Sequence, residues 1–118
     1  MGNRNLRVNE LLKREVSLYV HRRLQTEAVG VTITDVESTA DFKAATVYFS
    51  VIGDAEHGAS MAALLNRHAQ AINQELRRTI TLRNIPRLRF QHDLSMERGN
   101  RVLQMLDEIE SEQKNRRA

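Results

Sequence analysis

Apolar residues recur through the first fifth of the chain as Val8, Leu12, Val16, Val20 and Leu24, with Leu11 and Tyr19 beside them. This i, i+4 ladder predicts an amphipathic helix over about Asn5 to Leu24. Gly30 breaks the pattern, and the period then changes to two. Residues 31–38, VTITDVES, are rich in β-branched side chains, and the slip in alternation between Ile33 and Val36 predicts a bulge. Ala45, Val47, Phe49 and Val51 alternate cleanly with Thr46, Tyr48 and Ser50. Across a turn at Thr39 to Phe42 the two strands pair as an antiparallel hairpin. Gly53 to Gly58 reads as a polar loop and Ser60 as the N-cap of a long helix with Met61, Leu64, Leu65, Ile72, Leu76 and Ile80 on one stripe.

A turn around residues 82–86, LRNIP, leads to a short strand with Leu88 and Phe90 pointing one way and Arg87, Arg89 and Gln91 the other. Pro86 has no N–H and disfavours helix at Ile85, so the long helix must stop before it. A helical crossover joins the second and third strands, which makes them parallel neighbours with a right-handed connection. The product is an α+β fold: a three-stranded mixed sheet with helices on one face. Ser95 then caps a last helix with Val102, Met105, Leu106 and Ile109 on its stripe, and Lys114, Arg116 and Arg117 sit where the helix dipole favours cations. Residues 1–112 form the single expected domain and residues 113–118 a frayed basic tail.

Composition adds a charge pattern to that frame. The 118 residues carry a formal charge of only +3, but residues 1–90 hold 13 Lys and Arg against 9 Asp and Glu, whereas residues 91–118 hold 5 against 6. Between residues 67 and 89, Arg67, Arg77, Arg78, Arg83, Arg87 and Arg89 face a single acid, Glu75. Arginine outnumbers lysine 15 to 3, which suits planar contact with phosphate and also fits codon bias in a GC-rich genome. On the first helix Arg7, Arg14 and His21 recur every seven residues, within about 20° per heptad of one stripe. Glu10, four residues before Arg14, is positioned to neutralise part of that stripe.

Catalytic chemistry finds little to work with. Cysteine is absent, which excludes disulfides, a thiolate nucleophile and Cys-based zinc sites. The four histidines, His21, His57, His68 and His92, show no metal-ligand spacing, and His92 and Asp93, adjacent on a strand, point to opposite faces. No stretch approaches the roughly 18 apolar residues of a membrane span, and no signal-peptide core opens the chain, so a cytoplasmic location is expected. Neither enzymatic activity nor a cofactor or metal is expected.

The order of elements, with VTITDVESTADFKAATVYFSVIG at residues 31–53 and LRNIPRLRFQHD at residues 82–93, closely resembles the bacterial ribosome-binding factor A family over about residues 5–106. The second motif is the more specific, with Leu82, Arg83, Pro86, Leu88, Phe90 and Asp93 at the family's spacing. The resemblance implies a type II KH-like fold (helix, strand, strand, helix, kink, helix, strand) with an added C-terminal helix. It implies a role in late maturation of the small (30S) ribosomal subunit and processing of its 16S rRNA near the neck and the RNA 5′ end. It further implies release by an assembly GTPase and a monomer when free. The family's Ala-x-Gly kink falls on His68 and Gln70 here, with Ala69 and Ala71 displaced by one position. Asn73 stands where many members have arginine, and residues 25–30 lack the family's Asp-Pro-Arg.

No GxxG loop occurs in this sequence, and there is no aromatic platform, so binding is expected to rest on arginines meeting the phosphates of a structured RNA read by shape. After the apolar faces are turned inward, the RNA-binding candidates are Arg7, Arg14, Arg77, Arg78, Arg83 and Arg89. Leu82, Pro86, Leu88 and Phe90 are assigned to folding. The alternative is a non-catalytic interaction module whose acidic patch, Asp107, Glu108, Glu110 and Glu112, docks a basic ribosomal protein.

Overall fold

A computed structural model describes residues 2–94. Helix α1 (Gly2–Arg23) leads into strands β1 (Val31–Ser38) and β2 (Ala44–Val51), helix α2 (Ala55–Thr79) and strand β3 (Arg87–His92). The sheet order is β1-β2-β3, with β1 and β2 antiparallel and β2 and β3 parallel, as the crossover requires. The register of the hairpin shifts between Ile33 and Asp35, so Thr34 is the extra residue of the expected bulge. Both strands thereby keep Ile33, Val36, Ala45, Val47 and Phe49 on one face, where Leu88 and Phe90 of β3 join them.

The helices cover that face. Leu12, Val16, Val20 and Leu24 of the α1 ladder and Leu65, Ile72 and Leu76 of α2 are buried in one cluster with the strand residues. Pro86 is fully buried, and Leu82 packs partly buried against the cluster, which accords with their assignment to folding. The opposite face of the sheet carries Asp35 and Glu37 on β1, Thr46 and Tyr48 on β2, and the exposed Arg89 and Gln91 on β3.

Three expectations need correction. The polar loop is shorter than Gly53 to Gly58: α2 begins at Ala55, and its N-cap is Asp54, whose Oδ1 accepts from His57 N–H at 2.9 Å, not Ser60. Gly58 is therefore helical, and the two glycines that suggested a loop bracket the cap instead. The helix–kink–helix is also absent as a break, because α2 runs unbroken through His68–Gln70 and Ala69–Ala71. No glycine or proline lies between Ala59 and Thr79, so nothing interrupts the i to i−4 hydrogen-bond ladder. Ile80 belongs to the cap and not the helix; its backbone is extended (φ −115°, ψ 132°) while its N–H still reaches Leu76 O. The C-terminal helix capped by Ser95 and the tail lie outside the described residues.

Candidate nucleic-acid interface

The edge of the sheet at β3 is where charge gathers. Asn73 donates from Nδ2 to the Pro86 carbonyl at 2.9 Å, and its Oδ1 accepts from Arg77 Nε at 3.2 Å. One asparagine thus holds the strand entry and an arginine of the last α2 turn. The parallel register sets Ala44 beside Arg87, and Arg87 N–H donates to the Lys43 carbonyl at 2.9 Å, which brings Lys43 to the same end. Lys43, Arg77 and Arg87, with Asn66, Gln70 and Asn73, line a groove of about 500 Å³ between α2 and β3. Its floor is Ala69, Ile85 and Leu88, and no carboxylate lines it. A site of this kind can hold phosphate by charge and hydrogen bonds at once.

The other candidate residues separate onto different surfaces. Arg7 and Arg14 are exposed on α1, on the side away from Leu12 and Val16. Glu10 does not neutralise Arg14; among the described residues the one ion pair is Arg23 with Glu75, 3.7 Å apart, which ties α1 to α2. Arg78 is exposed and lies about 100° around the helix from Arg77, on the stripe of Arg67, eleven residues earlier. Arg83 lines a second groove with Val8, Asp41, Phe42 and Asn84, at the hairpin turn. Arg89 projects from the open sheet face, in a row with Thr46 and Glu37.

Arg89 and the α1 stripe thus lie on opposite sides of the molecule, and no single flat partner meets both. Of the six candidates only Arg77 enters the groove. Sequence reasoning left out Lys43 and Arg87, although the parallel pairing of β2 and β3 was sufficient to bring both to one strand end.

On the open face, Tyr48 Oη donates to Glu37 Oε2 at 3.3 Å. Burial first, and then the Glu37 carboxylate, push the Tyr48 phenol above its ordinary value, so it remains a neutral donor. Thr34 Oγ1 donates to Asp93 Oδ2 at 2.9 Å, closing the bulge against the end of β3. His92 and Asp93 do point apart: the His92 ring stacks on Phe49 with centroids 5.5 Å apart. No cluster of three or more His, Asp or Glu with metal-binding geometry occurs among the described residues, and none of their helices is long and apolar enough to cross a membrane.

Comparison with known proteins agrees with the architecture. The family model described as Ribosome-binding factor A matches residues 4–106. A ribosome-binding factor A from Opitutus terrae is 40% identical over 110 residues, covering 93% of this chain and 90% of that one. The crystal structure of ribosome-binding factor A from Thermus thermophilus superposes with a TM-score of 0.66 at 20% identity, over 75% of this chain and 94% of that one. A Thermus thermophilus ribosome binding factor A fitted into a cryo-EM map of a 30S complex gives 0.60 at 23% identity, over 73% and 91% of the two chains. At those identities the solved structures speak for the fold, and the sequence match speaks for kinship: the chain belongs to the ribosome-binding factor A family.

Proposed function

We propose that this protein is a ribosome assembly factor that binds the immature 30S subunit through its 16S rRNA and promotes late rRNA processing and maturation without catalysis. Family membership supports the reading, as does the relative of the same fold fitted into the map of a 30S complex. The observation that carries it to the residue level is the groove of Lys43, Arg77 and Arg87, three cations with no acid among the lining residues. Arginines without carboxylate partners are available for phosphate, and each phosphate neutralised releases counterions. The domain is KH-like in its topology and dispenses with the GxxG clamp. It acts as a cytoplasmic monomer, and an assembly GTPase drives its departure.

The test is co-sedimentation. The protein is expected to travel with immature small subunits in preference to mature subunits and whole ribosomes. Its affinity for a small-subunit RNA fragment is expected to fall steeply as salt rises. Salt-insensitive binding to isolated ribosomal proteins, with none to RNA, would replace this reading with a protein-docking one.

A further inference from the structure

Of the four large apolar side chains that stand exposed among the described residues, three lie at one end of the sheet. Ile52 is 85% exposed, Val29 61% and Leu94 37%. The hairpin register sets Val31 beside Val51 and the parallel register sets His92 beside Phe49, so the start of β1 and the ends of β2 and β3 share that end. Ile52 N–H donates to the Gly30 carbonyl at 3.2 Å, which brings Val29 beside the end of β2. Val29 also lines a hollow of about 400 Å³ with Val20, Ala28 and Val31, where α1 turns into β1. Leu6, the fourth, belongs to the opposite end, because Asn9 one turn further along α1 accepts from the Ser38 N–H at the finish of β1. Scattered apolar side chains need no partner, but three gathered beside an apolar hollow mark a surface that something covers.

We infer that the chain's own C-terminal segment seats there: the stripe of Val102, Met105, Leu106 and Ile109 covers Val29, Ile52 and the hollow, and its acids meet the end of α1. Strand β3 leads to Leu94 at this same end, and residues 95–118 continue from that point. Their apolar stripe is stabilising only when it is buried. Neighbouring strands are about 4.8 Å apart, so β1 stands about 10 Å from β3. A helix rises about 1.5 Å per residue, which sets Val102 about 12 Å and Ile109 about 22 Å from Leu94. A helix that crosses the strand ends from β3 to β1 therefore brings its stripe over Val29 and the hollow. Charge agrees with that course. Asp107, Glu108, Glu110 and Glu112 then fall beyond β1, where the last turn of α1 carries His21, Arg22 and Arg23.

The other surfaces suit the segment less well. The open face of the sheet presents Asp35, Glu37, Thr46, Arg89 and Gln91, which offer an apolar stripe nothing to bury against. The α2–β3 groove is lined by Lys43, Arg77 and Arg87 and lies toward the start of β3, away from Leu94. A second copy of the chain would have to compete with a tethered segment whose effective concentration is on the order of millimolar. The inference is independent of what the protein binds. It gives the acids of residues 107–112 a partner within the chain, in place of the basic ribosomal protein that the interaction-module reading assigns to them.

Because the sequence has no cysteine, disulfide trapping in the full chain reads the contact directly. A bridge needs Cα atoms about 4.4–6.8 Å apart, so its rate of closure reports proximity. Met105→Cys is paired in turn with Ile52→Cys, Arg89→Cys and Leu6→Cys, three exposed sites whose exchange leaves the core intact. In dilute solution under mild oxidation, the Ile52 pair is expected to close within one chain at least tenfold faster than the other two. Ile109→Cys with Val29→Cys is expected to close as readily, from a second position on the stripe, and circular dichroism checks that every variant is folded. Faster closure with Arg89→Cys would move the segment to the open face, and faster closure with Leu6→Cys to the far end of the sheet; either result overturns the inference. Equal rates for the three Met105→Cys pairs overturn it too, as do bridges that form only between two chains, which would assign the bare end to a second copy.

Discussion

Gly58 occupies the first turn of α2 where the helix meets β3, and a Cβ there would collide with the His92 ring. Alanine is the better helix former by about 1 kcal/mol, which by itself would stabilise the variant. The ring is pinned by its stacking on Phe49, however, and overpacking of this kind costs about 1–3 kcal/mol. Gly58→Ala is therefore expected to lower the thermal midpoint by a few degrees, where the same exchange at an exposed helical site would raise it. Asp41 shows the opposite case, an exposed residue whose bonds shape a turn. The Thr39 hydroxyl, first, and the Lys43 N–H hold its carboxyl below the ordinary carboxylate value. A depressed value in the folded state means that these bonds contribute above the unfolded value and are lost as pH falls through the folded one. The protection factor of the Lys43 amide, its exchange rate taken relative to the unstructured rate at the same pH, should fall on acidification below the ordinary carboxylate range, and in Asp41→Asn that acid-side step should vanish.

At the scale of elements, β3 tests how side chains divide between core and surface. Phe90 is 2% exposed and Arg89 is exposed, as their alternation implies. Phe90→Ala is expected to cost about 3–5 kcal/mol and Arg89→Ala under about 0.5 kcal/mol, measured by urea unfolding. Equal costs would mean that the strand faces are misassigned. That division was legible because period two leaves no third option for a side chain. The bulge at Thr34 was legible for the same reason, since one extra residue is the only way to return Val36 to the core face. The start of α2 was not, because a glycine in a first helical turn looks like a loop until the close approach of His92 is known. Nor was the role of Asn66 and Asn73, whose bonds to Phe90 and Pro86 span 24 and 13 residues and leave no periodic trace. Long-range polar pairing of this kind becomes visible only when the strand edge is placed against the helix.

For the whole molecule, the sequence showed that the excess of basic over acidic residues lies before residue 90 but not how the basic residues divide among surfaces. The helical period separates neighbours: Arg77 lines the α2–β3 groove, while Arg78 shares an outward stripe with Arg67. Two double variants with the same charge change can therefore tell a site from a field. If small-subunit RNA is held in the groove, Arg77→Glu with Arg87→Glu should sharply weaken co-sedimentation with immature subunits. It should also flatten the dependence of log affinity on log salt by about 1–2, in proportion to the phosphates released. Arg67→Glu with Arg78→Glu should weaken binding much less, since those side chains act on the RNA only through the general field, which salt screens beyond about 10 Å. All four side chains are exposed, so both variants should unfold with the same midpoint as the parent, and circular dichroism checks this before binding is compared. Should the outward pair matter as much as the groove pair, RNA is held by the helical layer as a whole, and the exposed Arg7 and Arg14 of α1 become the next residues to reverse.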